Sequence, residues 1–334
     1  MKLKNTKLMA AIVALCVTGG AASAAEVVLR LGNDVAPASI QAKANELFAA
    51  EVAKRKVGIE VKVFHTNQLG TGVQQIQNVK LGVQDLVNTG YELFAPFASD
   101  LKIGSAPFTF ADRDHFEAWV RSPMFERIQE DLIKNGNQRF INMGVIWRRG
   151  PYRVMIAKHP VLTLEDLSKV KLRVWEAEAV KRFWGKQGLG ATVVVLALAD
   201  VYLGLRQGVV EAINMPMDLI VPMKFFEVGK HIMNTREYPQ FVAVSMNEKR
   251  WQSLNSDQRK AITESADVAG TFYNGQIAAN LETWKKEIVA GGGTIHDVDR
   301  TPFINKMREL HAKWEKEGYW RPGMISELNA LAKK

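Results

Sequence analysis

Apolar and polar positions along this chain follow two alternating rhythms. Val27 to Leu31 is apolar and runs into Gly32-Asn33. Behind Ser39, a candidate N-cap, Ala44, Leu47, Phe48 and Val52 recur at helical spacing. Ile59, Val61 and Val63 then alternate with Glu60 and Lys62, the period-two signature of a strand. Asn67-Gln68-Leu69-Gly70 interrupts as a loop. Val73, Ile76 and Val79 make a second helix face, and Asp85 to Asn88 opens another strand. The order predicts a mostly parallel sheet flanked by helices.

The same grammar restarts in mid-chain. Phe140 to Trp147 and Arg153 to Ala157 read as strands, and Thr163 with Asp166 as a capping box. Lys171 to Trp175 reads as a strand. Ala177, Val180, Phe183 and Trp184 form a helix face that ends at Gly188 and Gly190. Val193 to Leu196 and Glu211 to Asn214 read as strands around a helix from Asp200 to Gln207. From Ser256 to about Ala290 the pattern is helical only, either one bent helix or two bracing the rest. Two αβ lobes in one chain predict a cleft between them, with ligand at the carboxyl ends of the strands.

The N-terminus changes the picture of where the chain works. Lys2, Lys4 and Lys7 precede an apolar run from Leu8 to Val17, and Ala22-Ser23-Ala24 offers a small-x-small cleavage site. This is the layout of a secretory signal peptide over residues 1–24, and the run is too short to span a bilayer. It predicts a periplasmic protein. The only cysteine, Cys16, lies inside this leader. The formal charge of +9 falls to +6 when the three leader lysines are removed. That charge is spread out, and with no nucleic-acid motif it does not argue for a nucleic-acid partner.

Enzyme signatures are missing. The six histidines, His65, His115, His159, His231, His296 and His311, show no pair at metal-ligand spacing. There is no phosphate-cradling glycine loop and no nucleophile elbow. No metal and no cofactor are expected. What stands out is a group of arginines beside aromatics at strand ends: Trp147-Arg148-Arg149, Arg153, and Arg173 next to Trp175. A guanidinium grips a carboxylate through two parallel hydrogen bonds. The residues leave two readings for Arg173, a ligand clamp or a structural salt bridge with Glu176 or Glu178. For Arg148 and Arg149 a salt bridge or plain solvation is at least as strong a reading. Trp147 and Trp175 could wall a pocket or pack in a core.

Ordered fragments along the chain add a family resemblance. They are Leu31-Gly32-Asn33 with Ala36-Pro37, Asn67-Gln68-Leu69-Gly70, Leu81-Gly82-Val83-Gln84-Asp85 and Ala106-Pro107-Phe108. Leu164-Glu165-Asp166-Leu167, Lys171-Leu172-Arg173-Val174, Arg206 to Glu211, Lys224 to Val228 and Trp251-Gln252-Ser253-Leu254 follow. In this order the chain resembles the solute-binding proteins of TRAP (tripartite ATP-independent periplasmic) transporters, of the dicarboxylate-binding type. The resemblance implies an α/β, two-lobe periplasmic-binding fold that closes over its ligand, with a long helix bracing both lobes. Lobe I would hold 25–150 with about 239–278, and lobe II 151–238 with about 279–334. It implies capture of a small carboxylate, an organic or sugar acid, for the membrane subunits of an ion-driven transporter, and no catalysis. A receptor feeding a sensor and a periplasmic enzyme acting on an organic acid are the alternatives.

The resemblance also implies site residues. Arg173 stands where the family salt-bridges the ligand carboxylate, and Arg153 matches a second arginine. Asn33 and Tyr91 would face the ligand from the other lobe, with Trp147 and Trp175 shaping the pocket. The family often reads Gln-Glu-Asn-Pro where this chain reads Ile213-Asn214-Met215-Pro216. Met215 therefore occupies the usual asparagine position, and Asn214 falls one place early. A one-residue shift on a pleated strand turns a side chain to the other face.

Overall fold

The computed structural model describes residues 27–332; the leader expected over 1–24 lies outside them. Five strands come first, β1 (Val27–Asn33), β2 (Ile59–Phe64), β3 (Leu86–Gly90), β4 (Gln138–Phe140) and β5 (Trp147–Arg149). Seven more follow: β6 (Arg153–Ala157), β7 (Lys171–Val174), β8 (Thr192–Val195), β9 (Ala212–Pro216), β10 (His231–Asn234), β11 (Gln240–Asn247) and β12 (Thr294–Asp297). They form two six-stranded sheets. The first runs β2-β1-β3-β11-β4, with β5 also paired to β11; the second runs β12-β10-β6-β9-β7-β8.

Both sheets are mixed rather than mostly parallel. β1 pairs parallel with β2 and β3, but β11 enters antiparallel to β3, β4 and β5. In the second sheet β7 pairs parallel with β8 and β9, while β6 is antiparallel to both β9 and β10. β11 was not legible as a strand because all eight of its residues are buried. A strand covered on both faces loses the apolar–polar alternation that marks strands in sequence. The expected strand from Phe140 to Trp147 is instead two short ones, β4 and β5, separated by residues 141–146.

Local signals hold where side chains cap their own backbone. Ser39 accepts a hydrogen bond from the Ala42 amide and starts the helix Ile40–Lys54. Thr163 and Asp166 form a reciprocal capping box at Leu164–Ser168. The helical tail is a single helix, Ser256–Ala290, of 35 residues. At 1.5 Å per residue it is roughly 50 Å long, enough to reach both sheets. Ile262, Ala266, Ala269 and Tyr273 pack in the core of the first sheet, while Ile288 packs with Ile156, Ile213 and Ile232 of the second.

The C-terminal helices are Thr301–Lys316 and Met324–Asn329. Phe303 packs on Phe108 and on Trp184, and the His115 ring bonds the Leu328 carbonyl. These contacts tie the segment after β3 to the helix Glu178–Trp184. Among the described residues no helix is long and apolar enough to cross a membrane.

Candidate functional site

The carboxyl ends of parallel strands from both sheets converge on one cavity of about 390 Å³. From the first sheet come Asp34 just after β1, Thr89 and Gly90 at the end of β3, Glu92, and Arg149 at the end of β5. From the second come Arg153 at the start of β6, Arg173 and Trp175 around the end of β7, Val195 and Leu196 around the end of β8, and Met215 and Pro216 on β9. Asn67, Thr71, Gly72 and the acidic Glu176 are also part of the lining. Thr71 caps the helix Gly72–Leu81 with a full capping box, so this helix turns its positive N-terminal end toward the cavity.

Three buried guanidinium groups dominate the chemistry: Arg149, Arg153 and Arg173 are 6%, 3% and 2% exposed. Among the described residues, no carboxylate oxygen lies within 4 Å of any of the three. Arg173 donates from Nε and Nη2 to the Leu196 carbonyl at 3.0 and 2.7 Å, and from Nη1 to the Asn214 carbonyl at 3.5 Å. Neutral carbonyls thus take three of its five N–H groups, leaving one on each terminal nitrogen. Burial, and then repulsion from Arg153, pull its pKa down to about 9 against the help of Asp34. At neutral pH the group is still charged, without a counter-ion in contact.

Arg153 is fixed more tightly. Its Nε donates to Asn214 Oδ1 at 2.5 Å, its Nη2 to the Asn214 carbonyl at 3.0 Å and its Nη1 to Gln240 Oε1 at 3.0 Å. Its guanidinium also stacks 3.5 Å from the centroid of the Trp175 ring. Behind it, Asn214 donates to Glu237, which also accepts from Thr235. Burial lifts the Glu237 carboxyl to about 7, although Arg153 and the hydrogen bonds from Asn214 and Thr235 oppose the rise. On the other side Gln240 donates to Glu92. Arg153 is thus held by two amides that are each backed by a buried acid.

Four of the residues picked from sequence line this cavity: Arg173, Arg153, Trp175 and Met215. The other four do not. Trp147 is wholly buried between β5 and the long helix, donating from its indole N–H to the Ala266 carbonyl and facing Tyr273 at 5.8 Å. It is a core residue and does not shape the pocket. Tyr91 stacks on Phe241 at 4.5 Å and gives its hydroxyl proton to the Gly104 carbonyl, so it too is core. Asn33 accepts from the Val35 amide and bonds the His65 ring, and its neighbour Asp34 lines the cavity in its place. Asn214 lies beneath the surface, holding Arg153, while Met215 takes the cavity position.

Arg149 is the main residue that sequence reasoning passed over. The burial of β5 alternates buried, exposed, buried, so Arg149 follows Trp147 inward while Arg148 points out. Arg148 makes a bidentate pair with Glu117 at 2.6 and 2.8 Å on the surface. Period-two alternation counted from Trp147 would have separated the two arginines. Burial depresses the Arg149 pKa, but Asp218, Tyr273, Asp34 and Glu92 together outweigh it and the value ends raised. Asp34 and Asp218 are themselves pushed up by burial, with Arg149 the strongest opposing charge on each.

A cavity between two αβ sheets, walled by buried, unpaired guanidinium groups, is built to hold an anionic solute. The family model described as bacterial extracellular solute-binding protein, family 7, matches residues 31–317. The chain belongs to this family. Among its relatives, a solute-binding protein of Roseobacter denitrificans is 26% identical over 89% of this chain and 91% of its own length. The 2,3-diketo-L-gulonate-binding periplasmic protein of Escherichia coli is 26% identical over 94% and 95%. Among solved structures, a TRAP periplasmic solute-binding protein of Roseobacter denitrificans with bound L-galactonate superposes with a TM-score of 0.82. It is 22% identical, over 92% of this chain and 99% of that one. One from Polaromonas bound to D-erythronate gives 0.83 at 21% identity, over 92% and 100%. These likenesses establish the two-lobe binding-protein fold.

Proposed function

We propose that this family 7 protein captures a small carboxylate between its two sheets and presents it to the membrane subunits of a TRAP transporter, with Arg173 as the carboxylate anchor. The observation that carries the reading is the state of Arg173: buried, charged and bonded only to neutral carbonyls. A buried charge without a partner is costly, and a ligand carboxylate supplies that partner. Arg153, fixed by Asn214 and Gln240, assists, and Trp175 and Met215 form the apolar side. Relatives whose names carry a bound sugar acid support an organic or sugar acid as ligand.

In this reading the first sheet is the core of lobe I, residues 25–150 with about 239–278. The second is the core of lobe II, 151–238 with about 279–334. Ligand bridges the cavity walls and so favours the closed arrangement of the lobes. The leader at residues 1–24 would send the protein to the periplasm.

Differential scanning fluorimetry against a panel of organic and sugar acids tests the proposal. A ligand that binds only the folded state raises stability by RT ln(1 + [L]/Kd), about 2.7 kcal/mol at 100 Kd. At least one carboxylate should raise the melting temperature clearly, while neutral sugars of the same size should not. A panel in which only neutral sugars stabilise the protein would defeat the carboxylate reading.

A further inference from the structure

Another cavity, of about 250 Å³, shares no lining residue with the one described above. Val154 of β6, Ile232 of β10 and Met217 just after β9 are its buried residues. Leu281 of the long helix and Ile295 of β12 are partly buried around them. Pro151 and Tyr152, which link β5 to β6, add to the same lining. The charged residues there are Arg236, which is exposed, and Lys285, which is half-buried. The hollow is apolar and its edge is cationic.

Arg236 is held in place. Its backbone lies in the left-handed region at φ 45°, where a residue with a Cβ is strained. Arg300 pins that turn, donating from Nε to the Thr235 carbonyl and from Nη2 to the Arg236 carbonyl, both at 3.0 Å. Among the described residues, neither arginine has a carboxylate oxygen within 4 Å. Burial, and then repulsion from Arg236, hold the Arg300 pKa below its usual value. Two acids in this region are already engaged. Glu282 pairs with Lys285 at 2.7 Å, and Asp297 accepts from the lining residue Asn234 at 3.1 Å.

An apolar hollow beside two guanidinium groups without acids suits a molecule with an apolar tail and an anionic head. A cationic head would meet Arg236 and Lys285, and a neutral one would leave the repulsion between the arginines unrelieved. A water molecule's share of liquid volume is about 30 Å³, so the hollow has room for roughly eight non-hydrogen atoms. We propose that this pocket is a second binding site, separate from the solute cavity, for a single-chain anionic amphiphile of about eight carbons. The tail lies between the long helix and the second sheet, and the head lies on Arg236. This site does not depend on the carboxylate reading of the solute cavity.

Titration calorimetry of the protein with 1-octanesulfonate tests the proposal, since a sulfonate carries the charge without being a carboxylate. One equivalent should bind, and Arg173→Ala should bind it equally well. Hexanesulfonate should bind roughly 10-fold more weakly, because two fewer methylenes are buried. Octyltrimethylammonium should bind about 10-fold or more weakly than octanesulfonate. Leu281→Glu sets a carboxylate in the apolar wall and should weaken octanesulfonate by about 10-fold or more. Arg236→Asn keeps a residue that tolerates the left-handed backbone and should weaken it by roughly 2- to 5-fold. Circular dichroism checks that both variants fold; if Leu281→Glu does not, Arg236→Asn and the chain-length pair decide. Binding lost in Arg173→Ala would place the amphiphile in the solute cavity and overturn the proposal. Equal affinity for the two octyl heads, or unchanged binding in both pocket variants, would overturn it as well. If octanesulfonate does not bind at all, the proposal fails and the reading of the solute cavity is untouched.

Discussion

The Arg153 guanidinium carbon sits over the Trp175 ring, 3.5 Å from its centroid, and both side chains line the same cavity. A cation over an indole face is worth about 0.5–2 kcal/mol, more when desolvated. The contact gives the tryptophan a second role beyond apolar lining. Trp175→Leu should therefore weaken ligand binding by roughly 2- to 30-fold. Trp175→Phe should weaken it less and remove part of any ligand-induced change in intrinsic fluorescence. Titration calorimetry and emission spectra of both variants check this. Wild-type fluorescence responses in Trp175→Phe would place the ligand away from the ring.

A second prediction concerns pH. The Glu237 carboxyl is raised from 4.5 to about 7, chiefly by burial. The folded state therefore holds this proton more tightly than the unfolded chain does. The stabilising contribution is complete below the unfolded value and is lost as pH rises through about 7. The loss amounts to at most about 3 kcal/mol. Urea unfolding of wild type should show this component falling between pH 4.5 and pH 7, and Glu237→Gln should lack it. Parallel stability curves for the two proteins over this range would contradict the assignment.

The core role of Trp147 gives a stability test. A Cβ on Gly270 of the long helix would come 2.6 Å from Trp147 Cδ1 and 2.9 Å from the Val145 carbonyl oxygen. Gly270→Ala gains about 1 kcal/mol of helix propensity. Overpacking costs about 1–3 kcal/mol, and here one neighbour is backbone and the other a wholly buried indole. The clash should win, lowering thermal stability. A variant more stable than wild type would show that β5 can move away from the helix.

Surface and cavity arginines should behave differently. Arg148 is 47% exposed at its side chain and paired with Glu117. Arg148→Ala should change stability by no more than about 1 kcal/mol and leave ligand affinity unchanged. A loss of affinity in this variant, read by calorimetry, would mean that β5 presents Arg148 rather than Arg149 to the ligand.

The sequence made the local elements legible where a side chain answers its own backbone, as at Ser39 and Thr163, and where one strand face meets solvent, as at Ile59 to Val63. β11 was hidden because burial on both faces erases its alternation, and with it the mixed sheet order. The site was half legible. Arg173 and Arg153 stand out because a charged residue inside an apolar strand is costly without a purpose. Asp34 and Glu92 do not stand out, because in sequence they are ordinary charges that only tertiary pairing buries against one cavity, whereas Arg149 is separable from Arg148 by the strand alternation from Trp147. Trp147 and Tyr91 misled because a large aromatic beside a strand end suits a pocket wall and a core equally, and here the long helix and Phe241 cover them.

The account rests on Arg173, and titrating its variants with the carboxylate that most stabilises the protein tests it most directly. Removing one partner of a desolvated charge pair costs about 2–5 kcal/mol. Arg173→Ala should then bind roughly 30-fold to several thousand-fold more weakly than wild type, while remaining folded by circular dichroism. Arg173→Lys should also bind poorly, because a point charge cannot reproduce the planar fork. If Arg173→Ala binds that carboxylate with wild-type affinity, the anchor lies elsewhere and the proposed site is wrong.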